Sequence, residues 1–402
     1  MSQTTQPFFS IVIPTRDRSI LIRELLWSIL HQNFNDFEIL VCDNSNDDLT
    51  QQILKEFTDN RIVNIKTGGL TMAENYNAGI NKVSGKYLMC ISDKGFLKQG
   101  ALKYLSALIS AEGHKCVTWA LDSFEYPGTY FQNPETVTKE SKSIESSELL
   151  RFMLGSDWRN FDPAPMHCTS CISMELVQEI KKKHHNLCQD LNPDYTMAVQ
   201  ILLTTQSVYN LKNSLTILRN VSEIEGFGNG RSLAKKTKES RVFLQDHAEW
   251  VQDTNRFADV PIKDCPFIVD LMIKDTYKVL EENNVNPDVY LEKSERLISY
   301  YLAAYDEIIW RRSLGVDMSP ESKIWHEALE AEISFVKDEV NKRLKTLLLR
   351  NALSFFKYFV KNNKVASTIL KLYRKVRYYN SGIMYNDIYD CYKAALIEEY
   401  KN

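Results

Sequence analysis

FSIVIPTRDRSILIRELLWSILHQNFNDFEILVCDNSN, residues Phe9 to Asn46, decides the fold class of this chain. Phe9 to Ile13 is a short, branched apolar run that Pro14 stops, since proline has no place inside a central strand. Arg16, Asp17, Arg18 and Ser19 make a polar turn, with Ser19 placed to cap a helix. Leu21, Ile22, Leu25, Leu26, Ile29 and Leu30 then recur at helical spacing, and Phe37 to Val41 reads as a second strand. Asp43-Asn44-Ser45 follows that strand directly. In an open α/β sheet, ligands bind beyond the carboxyl ends of the strands. Thr15, Asp17 and Asp43 are therefore expected to border one crevice.

The same alternation continues outward. Helix is expected over Leu49–Phe57, strand over Arg61–Lys66, helix over Thr71–Lys82 and strand over Lys86–Ser92, which runs into Asp93-Lys94-Gly95. Gly100–Ala111 reads as helix and Lys115–Trp119 as strand, so a mostly parallel sheet with right-handed crossovers is expected. Asp122 to Ser147 is polar and turn-rich and reads as an excursion over the active face. Strand at His167–Ser173, helix at Met174–Lys183, a helix from Tyr195 and strands at Ser207–Leu211 and Leu215–Arg219 complete the α/β part. Beyond about Arg241 glycine and strand-like runs nearly vanish. Helices are expected at Arg241–Arg256, Asp264–Asn283, Pro287–Leu314, Pro320–Lys361, Ala366–Tyr379 and Asn386–Tyr400. The division predicted is an α/β domain over 1–240 and an all-α domain over 241–402.

Bulk properties narrow the partners. A net charge of −3 over 402 residues gives no global attraction to nucleic acid. The start, MSQTTQPFF, lacks a basic n-region and apolar core, and no apolar run approaches the ~18 residues of a membrane span. A cytoplasmic protein is expected, with any membrane contact peripheral. In that setting the eight cysteines act as reduced, buried hydrophobes.

The first group able to carry chemistry is Thr15 with Asp17, Asp43 and Asp93, at successive strand ends. Carboxylates there accept from a base or ribose, or hold a divalent cation against phosphate oxygens. Taken singly, each is as well read as a solvated loop acid.

The order IVIPTRDR, ILVCDNSN and AENYNAGINKVSGKYLMCISDKGFLKQGAL resembles the family 2 glycosyltransferases of the GT-A fold, over roughly residues 8 to 235. The resemblance implies a nucleotide-diphosphate sugar donor and an inverting single displacement onto an acceptor hydroxyl. It implies that Pro14, Thr15 and Asp43 line the nucleoside pocket and that Asn75 and Asn77 flank the nucleotide. Asp93 falls at the position of the family's acidic metal motif, and Asp194 at that of the catalytic base. Asp190, in the same loop, is the rival base, and a helix N-cap is the structural alternative for Asp194. Two departures stand out. The acidic motif is reduced to Ser92-Asp93-Lys94, with one carboxylate, and Tyr76 stands where many members carry arginine. A manganese or magnesium ion on Asp93 is the implied cofactor, with Lys94 as an alternative cation beside the diphosphate. The competing function is a non-catalytic nucleotide-sugar-binding or scaffold protein with a degenerate metal motif.

Three further stretches qualify this reading. His167-Cys168-Thr169-Ser170-Cys171 followed by His184-His185 and Cys188 has zinc-like spacing, but it lies on a strand-like run, and buried thiols are the preferred reading. Gly226 to Ser232 suits a lid over bound donor, with Arg231 available for phosphate; a plain connecting loop fits as well. Residues 341–380 hold many Lys and Arg, no acid, and large apolar residues between them. That pattern suits an anionic membrane surface, or else a helix pair packed on the enzyme or on a second copy. The product class implied by the resemblance is a cell-surface glycan such as a capsule or lipopolysaccharide side chain. It would be built on a glycan or lipid-linked acceptor at the inner face of a membrane.

Overall fold

The computed structural model describes residues 6–125, 129–131, 140–155, 163–189, 192–220, 260–262, 267–347 and 388. The chain divides into two compact units. One comprises residues 1–149, 161–224 and 382–402; the other comprises 150–160 and 225–381.

In the first unit the elements are β1 (Phe9–Thr15), α1 (Ser19–Leu30), β2 (Phe37–Asp43), α2 (Leu49–Leu54), β3 (Ile62–Lys66), α3 (Met72–Ile80), β4 (Tyr87–Cys90) and β5 (Gly95–Leu97). They continue with α4 (Ala101–Glu112), β6 (Cys116–Glu125), β7 (Thr129–Phe131), β8 (Lys142–Glu145), α5 (Ser146–Leu154, of which only 146–149 belong to this unit), β9 (Ser170–Ser173), α6 (Met174–His184), α7 (Pro193–Thr204) and β10 (Ser207–Asn220). The described strands form one sheet in the order β3-β2-β1-β4-β9-β6-β10-β5, with β7 on β6 and β8 on β10. β1, β2, β3, β4, β6 and β10 run one way, and β5, β7, β8 and β9 run against them. This is the α/β architecture with a mostly parallel sheet that the sequence predicts.

Both faces of the opening strands are covered, which is why their sequence is apolar without alternation. Phe9, Ile11 and Ile13 join Ile22, Leu25, Leu26 and Ile29 of α1 in one core. On the other face α3 comes so close that a Cβ on Gly79 would stand 2.6 Å from both Val12 Cγ1 and Cys42 Sγ. Thr71 caps α3 through a capping box with Glu74, and Gly100 and Gly113 bracket α4 at φ of 82° and 70°. Ile388 packs with Phe96, Phe124, Tyr130 and Ile217, so a residue from near the chain's end belongs to the sheet unit's core.

Four local expectations differ. The excursion after Asp122 is partly sheet: β6 runs on to Glu125 and pairs with β7, and β8 pairs with β10. β10 is one strand, because a bulge between Leu211 and Thr216 absorbs the polar residues that seemed to divide it. α1 begins at Ser19, so Arg18 occupies its N-cap position and Ser19 does not. α7 begins at Pro193, whose fixed φ suits a first helical position. Asn192 is the cap, and Asp194 falls inside the first turn.

The second unit is helical: α8 (Ile268–Glu282), a 3-10 turn at Pro287–Val289, α9 (Lys293–Ser313), α10 (Ser319–Glu330) and a last helix over 334–347. The single helix expected over Pro320–Lys361 is broken at 331–333. Its core gathers Tyr300, Tyr301, Trp325, Val336 and Val340. The buried Glu307 carboxylate accepts from the Ile268 and Val269 N–H groups at the start of α8 and pairs with Arg311 at 3.0 Å. The expected helices at Arg241–Arg256 and Ala366–Tyr379 lie outside the described residues. No described helix is long and apolar enough to cross a membrane.

Candidate active site

The carboxyl ends of the parallel strands carry the predicted residues. β1 ends at Thr15 and β2 at Asp43, paired in register, and the segment after β4 delivers Ser92 and Asp93. β9 runs antiparallel, so the residues that precede it reach this same edge; the Cys168 N–H donates to Cys90 O at 2.7 Å. A cleft of about 380 Å³ near Gly113, Cys116, Thr205 and Ser207 lies at the amino ends of β6 and β10, the opposite edge, and is remote from these groups.

Asp43 is fully buried. Its Oδ1 accepts from Ser45 N at 3.0 Å and its Oδ2 from Gln51 Nε2 at 2.7 Å. Asp17, at φ 54°, ties the two loops together: its N–H donates to Ser45 Oγ, and its carboxylate accepts from the Asn46 backbone and side chain. Pro14 does not end β1 as expected: the strand pairs with β2 through it to Thr15, and Pro14 is partly buried there. Asn75 and Asn77 serve the fold: Asn75 accepts from Thr67 Oγ1 and donates to Cys42 O, while Asn77 exchanges hydrogen bonds with the Cys188 backbone.

Asp93 is the centre of the arrangement. Its Oδ2 accepts from Thr15 Oγ1 at 2.9 Å, and its Oδ1 accepts from Arg18 at 3.1 Å and from Ser92 Oγ at 3.3 Å. The carboxylate is 2% exposed. Lys94 is half-buried and its N–H donates to Ser92 Oγ. Beneath this turn lies Arg219, wholly buried, which donates to the carbonyls of Leu21, Asp93, Lys94 and Gly95 and pairs with Glu24. A divalent ion on Asp93 would have to displace Arg18 and share a carboxylate already accepting from Thr15 and Ser92. The side chains as arranged do not fit one. Among the described residues no cluster of three acidic, histidine or cysteine side chains offers an alternative.

Asp194, in the first turn of α7, has its Oδ2 3.3 Å from His167 Nδ1; their side chains are 20% and 29% exposed. The His167 ring lies 6.2 Å from that of Tyr76, which is buried. Cys168 connects this pair to Asp93, since its Sγ accepts from Ser92 N–H at 3.0 Å. Burial pushes its thiol up to about 12, and the charges of Asp93 and Asp194 both add to that rise. Tyr76 is held well above the ordinary phenol range by burial first, with Cys168 and Asp194 contributing. The two predicted acids thus flank one buried thiol.

The HCTSC segment supplies a site residue, His167, and buried thiols at Cys168 and Cys171. Asp190 and Arg231 lie outside the described residues. Of the 341–380 segment only 341–347 is described; there Arg343 pairs with Glu295 and Glu339, and Lys342 with Glu339. The sequence alone assigns no site role to Arg18 or Arg219, and it singles out His167 only within a zinc-like spacing. An arginine inside the TRDR turn, and another closing the apolar run LTIL, are the signals that could have marked the first two.

Residues 10–180 match the model of the family described as glycosyl transferase family 2. Over 106 residues the chain is 32% identical to the GalNAc(5)-diNAcBac-PP-undecaprenol beta-1,3-glucosyltransferase of Campylobacter jejuni, a stretch that is 25% of this chain and 33% of that one. Over 106 residues it is 24% identical to the poly(ribitol-phosphate) beta-N-acetylglucosaminyltransferase TarS of Staphylococcus aureus, which is 25% of this chain and 18% of that one. These matches span a third or less of each relative's length. Among solved structures, TarS 1–349 of S. aureus in complex with UDP-GlcNAc aligns with a TM-score of 0.45 at 14% identity, covering 83% of this chain and 92% of that one.

Proposed function

We propose that this glycosyltransferase, which carries a family 2 region over residues 10–180, moves a sugar from a nucleotide-diphosphate sugar to an acceptor hydroxyl with inversion. The observation that carries the reading is the meeting at one edge of a parallel sheet of Asp43 and Asp93, inside that region, with Asp194, which lies just beyond it. Asp43 is rigidly held where a nucleoside would sit. Asp194 is the proposed base. It takes the proton from the acceptor hydroxyl as that oxygen attacks the anomeric carbon opposite the departing diphosphate, so one displacement inverts the centre. His167 Nδ1 stands 3.3 Å from that carboxylate, near enough to form an ion pair with it when the ring is protonated.

The relatives named above act on an undecaprenol-linked glycan and on poly(ribitol-phosphate), and this supports a cell-surface polysaccharide as the product. A glycan or lipid-linked acceptor and a cytoplasmic site, peripheral to the inner face of a membrane, belong to the same proposal. The test is a thermal-shift screen of nucleotide sugars, followed by donor hydrolysis without acceptor. A shift with one donor and slow release of its sugar supports transfer. A shift without any hydrolysis favours the non-catalytic binding reading, which the single, buried acid at Asp93 motivates. No shift with any sugar nucleotide sinks both.

A further inference from the structure

We infer that Arg18, and not a divalent ion held by Asp93, is the cation that meets the leaving diphosphate; this rests on the donor reading above. Asp93 is closed to solvent and its two oxygens are already engaged by Thr15, Ser92 and Arg18. Magnesium characteristically keeps several waters and needs open oxygen ligands, and this carboxylate has neither to offer. Arg18 is differently placed. Its side chain is 15% exposed at the sheet's carboxyl edge, and it stands next to Thr15, the last residue of β1, through their shared acceptor. A guanidinium carries five N–H donors, and this one commits a single nitrogen, the one 3.1 Å from Asp93. Its Nε is buried with no partner. Buried donors without acceptors are costly, and a diphosphate, with many oxygens of high charge density, is the chemistry that satisfies them.

Asp93 then becomes a positioning residue that aims Arg18, and Arg219 holds the turn that presents Asp93. In the transfer step, the bond between the anomeric carbon and the diphosphate oxygen breaks and its electron pair stays on that oxygen. The acceptor oxygen forms the new bond and loses its proton to Asp194. Arg18 meets the charge that develops on the diphosphate.

The test is calorimetric titration of UDP, GDP, ADP and CDP into the full chain, in EDTA and again with manganese. The expected result is that at least one nucleoside diphosphate binds in EDTA about as tightly as with manganese. Arg18→Gln should weaken it about tenfold or more, and Arg18→Lys should retain part of the affinity. Circular dichroism and melting of each variant separate loss of binding from loss of fold, with Arg18→Lys keeping the charge beside Asp93. Binding that requires manganese and is unchanged in Arg18→Gln overturns the inference and leaves the transferase reading standing. If none of the four binds in either buffer, the donor reading falls and this inference with it.

Discussion

His167 Nδ1 lies 3.3 Å from Asp194 Oδ2, although the two residues come from different segments, one just before β9 and the other in the first turn of α7. An acid in a first turn is favoured by the helix dipole whatever else it does, so its position alone does not make it a base. Kinetics separates the roles. Asp194→Asn should lower kcat by about a hundredfold to ten-thousandfold, the usual contribution of a positioned base, while the thermal shift by donor stays at the wild-type value. His167→Ala should lower kcat less, with donor KM unchanged. Full turnover in Asp194→Asn would return this acid to a purely structural role.

Arg219 predicts a stability effect. It is fully buried, donates to four carbonyls from Leu21 to Gly95, and pairs with Glu24. Arg219→Met removes the guanidinium that Glu24 and the turn carbonyls share, a loss of about 3–5 kcal/mol for a broken buried pair. Arg219→Lys should recover only part of this, because an ammonium cannot reach so many acceptors in one plane. Urea denaturation measures both. A melting curve for Arg219→Met indistinguishable from wild type would show that the clamp is not needed.

How far the sequence reveals these features depends on their range along the chain. β1, α1 and β2 were legible because both faces of the strands are buried, leaving unbroken apolar runs beside a helical stripe. β8 was not, since three residues of KSIE are exposed, only Ile144 is buried, and the strand is held by backbone pairing to β10. The break at 331–333 was hidden because Trp325, Leu329, Val336 and Val340, all buried, keep helical spacing straight across it. Thr15, Asp43, Asp93 and Asp194 could be placed at strand or helix ends from local pattern. Arg18 could not be assigned a role in the same way, because the partner that gives it one lies 75 residues on.

Gly85 sits against the first strand. A Cβ there would stand 2.6 Å from Ser10 Oγ, 2.8 Å from Ser10 N and 2.9 Å from the Phe9 carbonyl carbon. Two of these are backbone atoms of a central strand and cannot swing away. Gly85→Ala should therefore cost about 1–3 kcal/mol, as overpacking does, and break the hydrogen bond from Gly85 N to Ser10 Oγ. Gly113→Ala is the comparison: φ is 70° and nothing lies within 4 Å, so only backbone strain of about 1–2 kcal/mol is expected. Equal midpoints for Gly85→Ala and wild type would mean that the Lys86–Tyr87 entry to β4 can slide.

The buried thiols predict how stability falls in alkali. Burial pushes Cys42 and Cys168 up to about 12 from a reference of 9.0, and raises Cys90, Cys116, Cys171 and Cys188 well above that reference. Below pH 9 these thiols are protonated in both folded and unfolded chains, so they give stability no slope there. Between 9 and 12 the unfolded chain releases their protons and the folded one keeps them. The unfolded state then gains, and stability drops by about 1.4 kcal/mol per pH unit for each such thiol. Denaturation midpoints measured in reductant should hold steady up to about pH 8.5 and fall steeply beyond it. Lysines and tyrosines titrate in the same range, so the wild-type curve alone does not isolate the thiols. Cys116→Ala does, because that side chain touches none of the proposed chemistry. The variant begins less stable by the cavity it creates, and its alkaline slope should be shallower than wild type by about 1.4 kcal/mol per unit. Parallel slopes would mean that Cys116, buried at the start of β6, ionises as readily in the folded chain as in the unfolded one, and the prediction would fail.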